Sequence, residues 1–81
     1  MTEMGKLKAA FGIHTTKKLG DPDRWGHYRF TGKNNKTYRI KIMKQVWRFE
    51  ASHTDGSGWF RISGGKFNNI TRLDTLLEIY K

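Results

Sequence analysis

Apolar and polar residues alternate along much of the middle of the chain, which is the pattern of β-strands with one buried face. The alternation is clearest in residues 37–42, where every second side chain is large and apolar. Segments rich in Gly, Asn and Asp, at 32–36 and 53–58, have the composition of hairpin turns. The pattern predicts three or four strands joined as an antiparallel meander. The predicted strands are residues 27–31, 37–42, 47–52 and 59–63.

A different spacing follows the last predicted strand. Large apolar residues recur every three or four positions from Leu73 to Tyr80, which is the spacing of an amphipathic helix. The Gly64-Gly65 pair precedes this segment and is expected to end the sheet. The spacing of Thr71 and Asp74 is nearly that of a capping box, so we expect these residues to cap a helix over 72–80.

The apolar stripe of this helix needs an apolar surface, which the Tyr38, Ile40 and Phe49 side of the sheet supplies. A helix on one face of an antiparallel sheet forms a two-layer unit. The predicted fold class is therefore α+β: a small antiparallel three- to four-stranded meander with a C-terminal helix packed on one face. Residues 24–81 are expected to form this single domain.

Residues 1–23 are basic and weakly patterned, and they are predicted to form an N-terminal arm or a short helix with a turn. Met4, Leu7, Ala10 and Phe11 fall on one side of such a helix. We expect this helix to end at Gly12, because glycine is a poor helix former. A flexible arm fits the same residues.

Composition narrows the class of protein. The chain has 81 residues, no cysteine and a net charge of +9. Without cysteine there is no disulfide and no thiolate metal ligand, which favours a reducing, cytoplasmic location. No apolar run approaches the roughly 20 residues of a membrane span, so no membrane partner is expected. The positive charge favours acidic partners, with nucleic acid (DNA or RNA) first and an acidic protein second.

Positive charge is concentrated in the predicted sheet. Between Arg24 and Phe49 the sequence contains eight Lys or Arg residues and no Asp or Glu, and aromatic residues lie among the cations. Cations neutralise phosphates, and aromatic rings or Arg planes meet bases, so this combination is typical of a nucleic-acid-binding surface. The eight cations are Arg24, Arg29, Lys33, Lys36, Arg39, Lys41, Lys44 and Arg48.

Strand alternation assigns these residues to a side of the sheet. If the helix covers the apolar side, Trp59 points to the uncovered side, where a large ring is costly to expose unless a partner covers it. The alternative interpretation is an ordinary solvated face, whose Lys and Arg residues deter edge pairing. The predicted nucleic-acid-binding residues are Arg29, Arg39, Trp59 and Arg61 for base contacts, and Lys33, Lys36, Lys41, Lys44 and Arg48 for phosphate contacts.

The remaining polar residues give no sign of a catalytic or metal centre. His14, His27 and His53 each stand alone in the sequence, unlike the paired ligands of a zinc site. Asp21 and Asp23 are interpreted as turn formers beside the single proline. Neither a metal ion nor another cofactor is therefore expected, and the protein is predicted not to be an enzyme.

Two resemblances suggest related possibilities. Residues 38–42, Tyr-Arg-Ile-Lys-Ile, resemble one strand of the RelE-type ribonuclease toxins, which implies RNA cleavage by basic and aromatic side chains. The order of a three-stranded sheet and a helix, from Tyr38 to Tyr80, is similar to the arm-binding domains of phage integrases. That similarity implies that the sheet reads DNA.

The predicted function is nucleic-acid binding through a basic, aromatic sheet face, with DNA favoured over RNA and a regulatory or accessory role. The alternative from another class is a protein-interaction module or inhibitor that docks on an acidic protein. A RelE-like ribonuclease toxin is a further alternative. Binding to generic nucleic acid at low salt separates the first two, because an inhibitor of a protein would show little of it.

Overall fold

The computed structural model describes residues 2–53 and 56–81, which form two helices on one side of a four-stranded antiparallel sheet. The strands lie side by side in their sequence order, as in a meander. The predicted α+β architecture is confirmed. Within the described residues, no helix is long and apolar enough to cross a membrane. The elements are α1 (Glu3–Leu19), β1 (His27–Thr31), β2 (Thr37–Ile42), β3 (Val46–Ser52), β4 (Trp59–Lys66) and α2 (Ile70–Tyr80).

The turn between β1 and β2 forms at residues 32–36, as predicted. The Gly32 amide donates to the Lys36 carbonyl at 2.8 Å, and Asn35 adopts a left-handed conformation with φ 68°. The Met43 amide donates to the Val46 carbonyl at 2.9 Å and closes the turn between β2 and β3. β1 and β2 have the predicted bounds, whereas β3 begins one residue earlier than predicted.

The predicted turn at residues 53–58 connects β3 to β4. The His53 amide donates to the Gly58 carbonyl at 2.9 Å, which closes the connection. Gly56 has φ 75°, in the region that glycine enters without strain. Residues 54 and 55, which this prediction includes, lie outside the described residues.

β4 continues beyond its predicted end because its glycines permit close packing. The prediction that Gly64 and Gly65 break the sheet is wrong, since they lie within the strand, opposite Arg48 and Trp47. A Cβ atom at Gly64 would lie 2.6 Å from the Trp47 carbonyl oxygen, so only glycine fits there. Ile62 is the additional residue of a β-bulge in this strand.

α1 continues through Gly12, where the helix was expected to end, and reaches a C-cap at Gly20. The expected end of this helix at Gly12 is therefore wrong. Phe11 is fully buried, and its ring centroid lies 5.4 Å from that of Trp47 and 5.6 Å from that of Phe67. Burial of this ring outweighs the roughly 1 kcal/mol that a glycine costs a helix. The N-terminal segment thus shares the core of the sheet.

α2 begins at a different cap from the one predicted. The Asn69 side chain accepts a hydrogen bond from the Arg72 amide at 3.3 Å, so Asn69 is the N-cap and Thr71 lies inside the helix. Asp74 does not cap the helix either. Its Oδ1 atom lies 2.8 Å from Nε2 of His14 and links α2 to α1.

α2 packs on the predicted side of the sheet. Leu73 and Leu77 are buried, and the Tyr80 ring packs against Tyr38 and Phe49 with centroids 5.1 Å and 5.3 Å apart. α1 inserts Phe11 into the same core. Both helices therefore lie on one side, and the opposite side of the sheet is uncovered.

Candidate nucleic-acid interface

The uncovered side of the sheet carries two rows of side chains that run across the strands. The first row is His27, Lys41 and Arg48. The second row is Arg29, Arg39, Glu50 and Arg61. Trp59 lies on this side, as the alternation predicts, with its ring centroid 4.2 Å from the guanidinium carbon of Arg39. We refer to these eight side chains as the basic face.

Like charges stand directly opposite each other on the basic face. Arg29 is the cross-strand partner of Arg39, and Lys41 is the partner of Arg48. Like charges directly opposite each other destabilise a sheet. Glu50 is the single acidic member of the two rows. Phosphate groups placed over these rows would offset the repulsion between the cations.

Arg39 is held at the centre of the basic face by three neighbours. Its Nε atom donates to Oε1 of Glu50 at 2.8 Å, and its Nη1 atom lies 3.2 Å from Nδ1 of His27. The Trp59 ring stacks on its guanidinium group. The side chains of Arg39 and Glu50 are 11% and 8% exposed, although no helix covers this side. Trp59 therefore rests on a buried ion pair.

The four residues predicted to contact bases differ in exposure. Arg29 and Arg61 are exposed, Trp59 is half-buried, and Arg39 is enclosed by its neighbours. The guanidinium carbon of Arg29 also approaches the Trp59 ring, at 5.6 Å from the centroid. Arg39 is therefore placed to orient Trp59, while Arg29 and Arg61 present guanidinium groups to solvent.

The five residues predicted to contact phosphates are not all on one surface. Lys41 and Arg48 lie side by side on the basic face. Lys33 is turned toward α2, where its Nζ atom donates to a backbone carbonyl at 3.0 Å. Lys44 lines a surface groove beside the first turns of α1. Lys36 lies in the loop between β1 and β2. The structure thus brings two of the five to the basic face.

A turn before β1 places a carboxylate beside the basic face. Oδ1 of Asp23 accepts hydrogen bonds from the amides of His27 and Trp25, both at 2.9 Å. The hydrogen bond from the His27 amide is the main reason that the pKa of Asp23 lies below its usual value. Burial, and then the charge of Arg39, hold the pKa of His27 below its usual value of 6.5. The neutral form of the His27 imidazole is therefore favoured relative to a free histidine.

The predicted binding residues omit three side chains that the structure places on or near the basic face, although Arg24 was counted in the run of cations. The Trp25 ring is 63% exposed, and the guanidinium carbon of Arg24 lies 4.3 Å from its centroid. The available signal was a tryptophan next to an arginine directly after a predicted turn. Lys66 was missed because β4 was expected to end before it, and it lies opposite Val46 on the side of the basic face.

No protein-family model, curated protein or solved structure matches this chain. In the part of the chain that the structure describes, no three His, Asp or Glu residues cluster in a way that could hold a metal ion.

Proposed function

We propose that this protein binds nucleic acid through the basic face, with DNA favoured over RNA, in a regulatory or accessory role rather than as an enzyme. The observation that carries the proposal is the placement of Arg29 opposite Arg39, and of Lys41 opposite Arg48, on a side of the sheet that neither helix covers. Glu50, paired with Arg39, and Asp23, 3.6 Å from Arg29, offset only part of this charge. A polyanion bound over the rows would offset more of it.

Phosphate contacts would come from cations on all four strands. Lys41 and Arg48 are neighbours across β2 and β3, so together they fit one stretch of a phosphate backbone. Arg29 on β1 and Arg61 on β4 lie in the second row and are exposed. Each cation that meets a phosphate releases counterions, so affinity must fall as salt rises.

Trp59 adds an aromatic ring to this charged surface. Glu50 fixes Arg39, and Arg39 stacks on the ring, so the indole is held in place before any ligand arrives. A preordered ring loses less conformational freedom when a base stacks on it. This combination of cations and a fixed ring supports nucleic acid rather than an acidic protein as the partner.

A binding panel tests the proposal. Labelled duplex DNA, single-stranded DNA and RNA are titrated with the protein at low and physiological salt. We expect binding that weakens as salt rises, and a Lys41→Glu/Arg48→Glu variant that binds every sequence more weakly. Lys6→Glu/Lys17→Glu is the matched control, because it changes the net charge equally on exposed residues of α1. Circular dichroism confirms that both variants are folded.

Two results of this panel would contradict the proposal. Equal losses in the two variants would show that net charge, not the basic face, determines affinity. Binding that does not change with salt would favour the alternative partner, an acidic protein.

A further inference from the structure

Trp25 exposes 63% of its surface in the turn before β1. The guanidinium carbon of Arg24 lies 4.3 Å from the ring centroid, which is a cation–π contact. The turn is fixed, because the Trp25 amide donates to Oδ1 of Asp23 at 2.9 Å and Gly26 adopts φ 81°. A large apolar ring on a fixed turn remains hydrated in the free protein, and a partner that covers it gains the corresponding free energy.

A continuous line of contacts joins Trp25 to the basic face. The guanidinium carbon of Arg29 lies 5.6 Å from the Trp59 ring centroid, and its Nε atom lies 3.6 Å from Oδ2 of Asp23. The other oxygen of Asp23 accepts the hydrogen bond from the Trp25 amide. Each end of this line is a tryptophan with an arginine over its ring. Ile79 is similarly exposed, at 59%, but lies on α2 and has no ring for a base to stack on.

We propose that Trp25 and Arg24 form a second stacking platform, and that the ligand is a single-stranded nucleic acid whose bases stack on Trp25 and Trp59. This inference rests on the proposed function, and it narrows the ligand from nucleic acid in general to a single strand. In a duplex, the faces of the bases are covered by neighbouring base pairs, whereas unpaired bases stack on any aromatic side chain. Two separate rings beside cations therefore favour a single strand.

Cations lie where the strand between the two platforms would run. Arg29 contacts both the Trp59 ring and the Asp23 carboxylate, so it stands between the platforms. Lys8 of α1 lines a groove with Trp25 on the side of the sheet that faces α1, so a cation is also present on that side of the platform. Phosphates on either side of a base stacked on Trp25 would thus each meet a cation.

The test compares Trp25→Ala with Ile79→Ala in fluorescence anisotropy titrations of labelled oligothymidine strands of increasing length. We expect Trp25→Ala to weaken binding by about 5- to 150-fold, as the loss of one base stack implies. The loss should grow with strand length, because only a longer strand reaches both rings. Ile79→Ala should bind as the wild type does, and Trp25→Phe should retain most of the affinity.

The possible results separate this inference from the proposed function. Equal affinities of Trp25→Ala and Ile79→Ala for every strand would overturn the second platform and leave the basic face as the site. A wild-type preference for duplex over single strand would overturn the single-stranded ligand. Absence of binding to any nucleic acid at low salt would overturn the proposed function, and this inference with it.

Discussion

Arg39 donates from its Nε atom to Oε1 of Glu50 at 2.8 Å, and both side chains are nearly buried on the side of the sheet that neither helix covers. A buried ion pair contributes little net stability, but loss of one partner leaves an uncompensated charge. Here the pair also supports the Trp59 ring, which stacks on the same guanidinium group. The ion pair therefore links the stability of the sheet to the orientation of the candidate stacking residue.

Glu50→Gln should lower the free energy of unfolding by up to about 3 kcal/mol, because Arg39 would remain enclosed without its counter-charge. Urea unfolding measures this change. In an Arg39→Gln/Glu50→Gln variant the cost should be smaller than the sum of the two single losses, since the residues interact directly. Additive losses would contradict the proposed coupling between the two residues.

Leu73→Ala should cost about 2–5 kcal/mol of unfolding free energy, because Leu73 is fully buried between α2 and the sheet. Leu76→Ala, four positions before Tyr80 on the same helix, should cost less, because Leu76 is only half-buried. Chemical denaturation of both variants gives the comparison. A larger loss for Leu76→Ala than for Leu73→Ala would mean that α2 packs in a different rotation.

Trp59→Ala should weaken binding to single strands by about 1–3 kcal/mol, which is the typical contribution of one base stacked on an aromatic ring. The melting temperature should change little, because no helix packs on that side. Phe60→Ala is a matched control, because Phe60 is the next residue of β4 and is also aromatic. Phe60 pairs with the core residue Ala51, so it lies on the opposite side of the sheet from the basic face. Unfolding of Trp59→Ala would assign the ring to the core, and a folded variant with unchanged affinity would remove its binding role.

His27 makes stability depend on pH. Its pKa in the folded protein lies below 6.5, so the unfolded chain binds more protons between that lowered pKa and 6.5. Stability from this group is complete above pH 6.5 and is lost as pH falls through the window. Urea unfolding at about pH 7.5 and about pH 5.5 should show the loss, and His27→Gln should reduce it.

Nucleic acid should reverse this effect on His27. Phosphates near the ring would favour the imidazolium form and raise the pKa of His27, as the Asp23 carboxylate does. The charges of Arg39, Lys41 and Arg29 lower this pKa, so phosphate would act against them. NMR titration of the His27 ring protons, with and without an oligonucleotide, measures the shift. A midpoint at or above 6.5 in the free protein would contradict the structural environment described above.

The alternation of apolar and polar residues predicted those parts of the fold that are determined by residues close together in the sequence. Successive side chains of a strand point to opposite sides, so the pattern sufficed for β1, β2 and the side on which Trp59 lies. The spacing of Leu73 and Leu77 likewise predicted which side of α2 meets the sheet. These features require no knowledge of distant contacts.

Features that depend on contacts between distant segments could not be predicted in this way. Phe11 packs on Trp47, and this contact stabilises the continuation of α1 through Gly12. Asp74 contacts His14, which lies 60 residues earlier in the sequence. No local pattern shows either contact. The local preferences for a helix break and a cap were therefore the wrong basis for those two predictions.

In the candidate site, too, features set by the local sequence could be predicted, whereas features set by distant contacts could not. The run of cations predicted a charged sheet, but the position of Lys33 depends on the end of α2, and the burial of Arg39 depends on Glu50 and Trp59. Trp25 lies outside any alternating segment, so its exposure became visible only in the folded chain.

The most direct test of nucleic-acid binding by the basic face is the salt dependence of wild-type affinity for a single-stranded oligonucleotide. If about four or five cations meet phosphates, a plot of the logarithm of the binding constant against the logarithm of salt concentration should have a slope of about −3. The Lys41→Glu/Arg48→Glu variant should bind more weakly and with a shallower slope. A wild-type slope near zero, or an unchanged slope in this variant, would contradict binding of phosphates at the basic face.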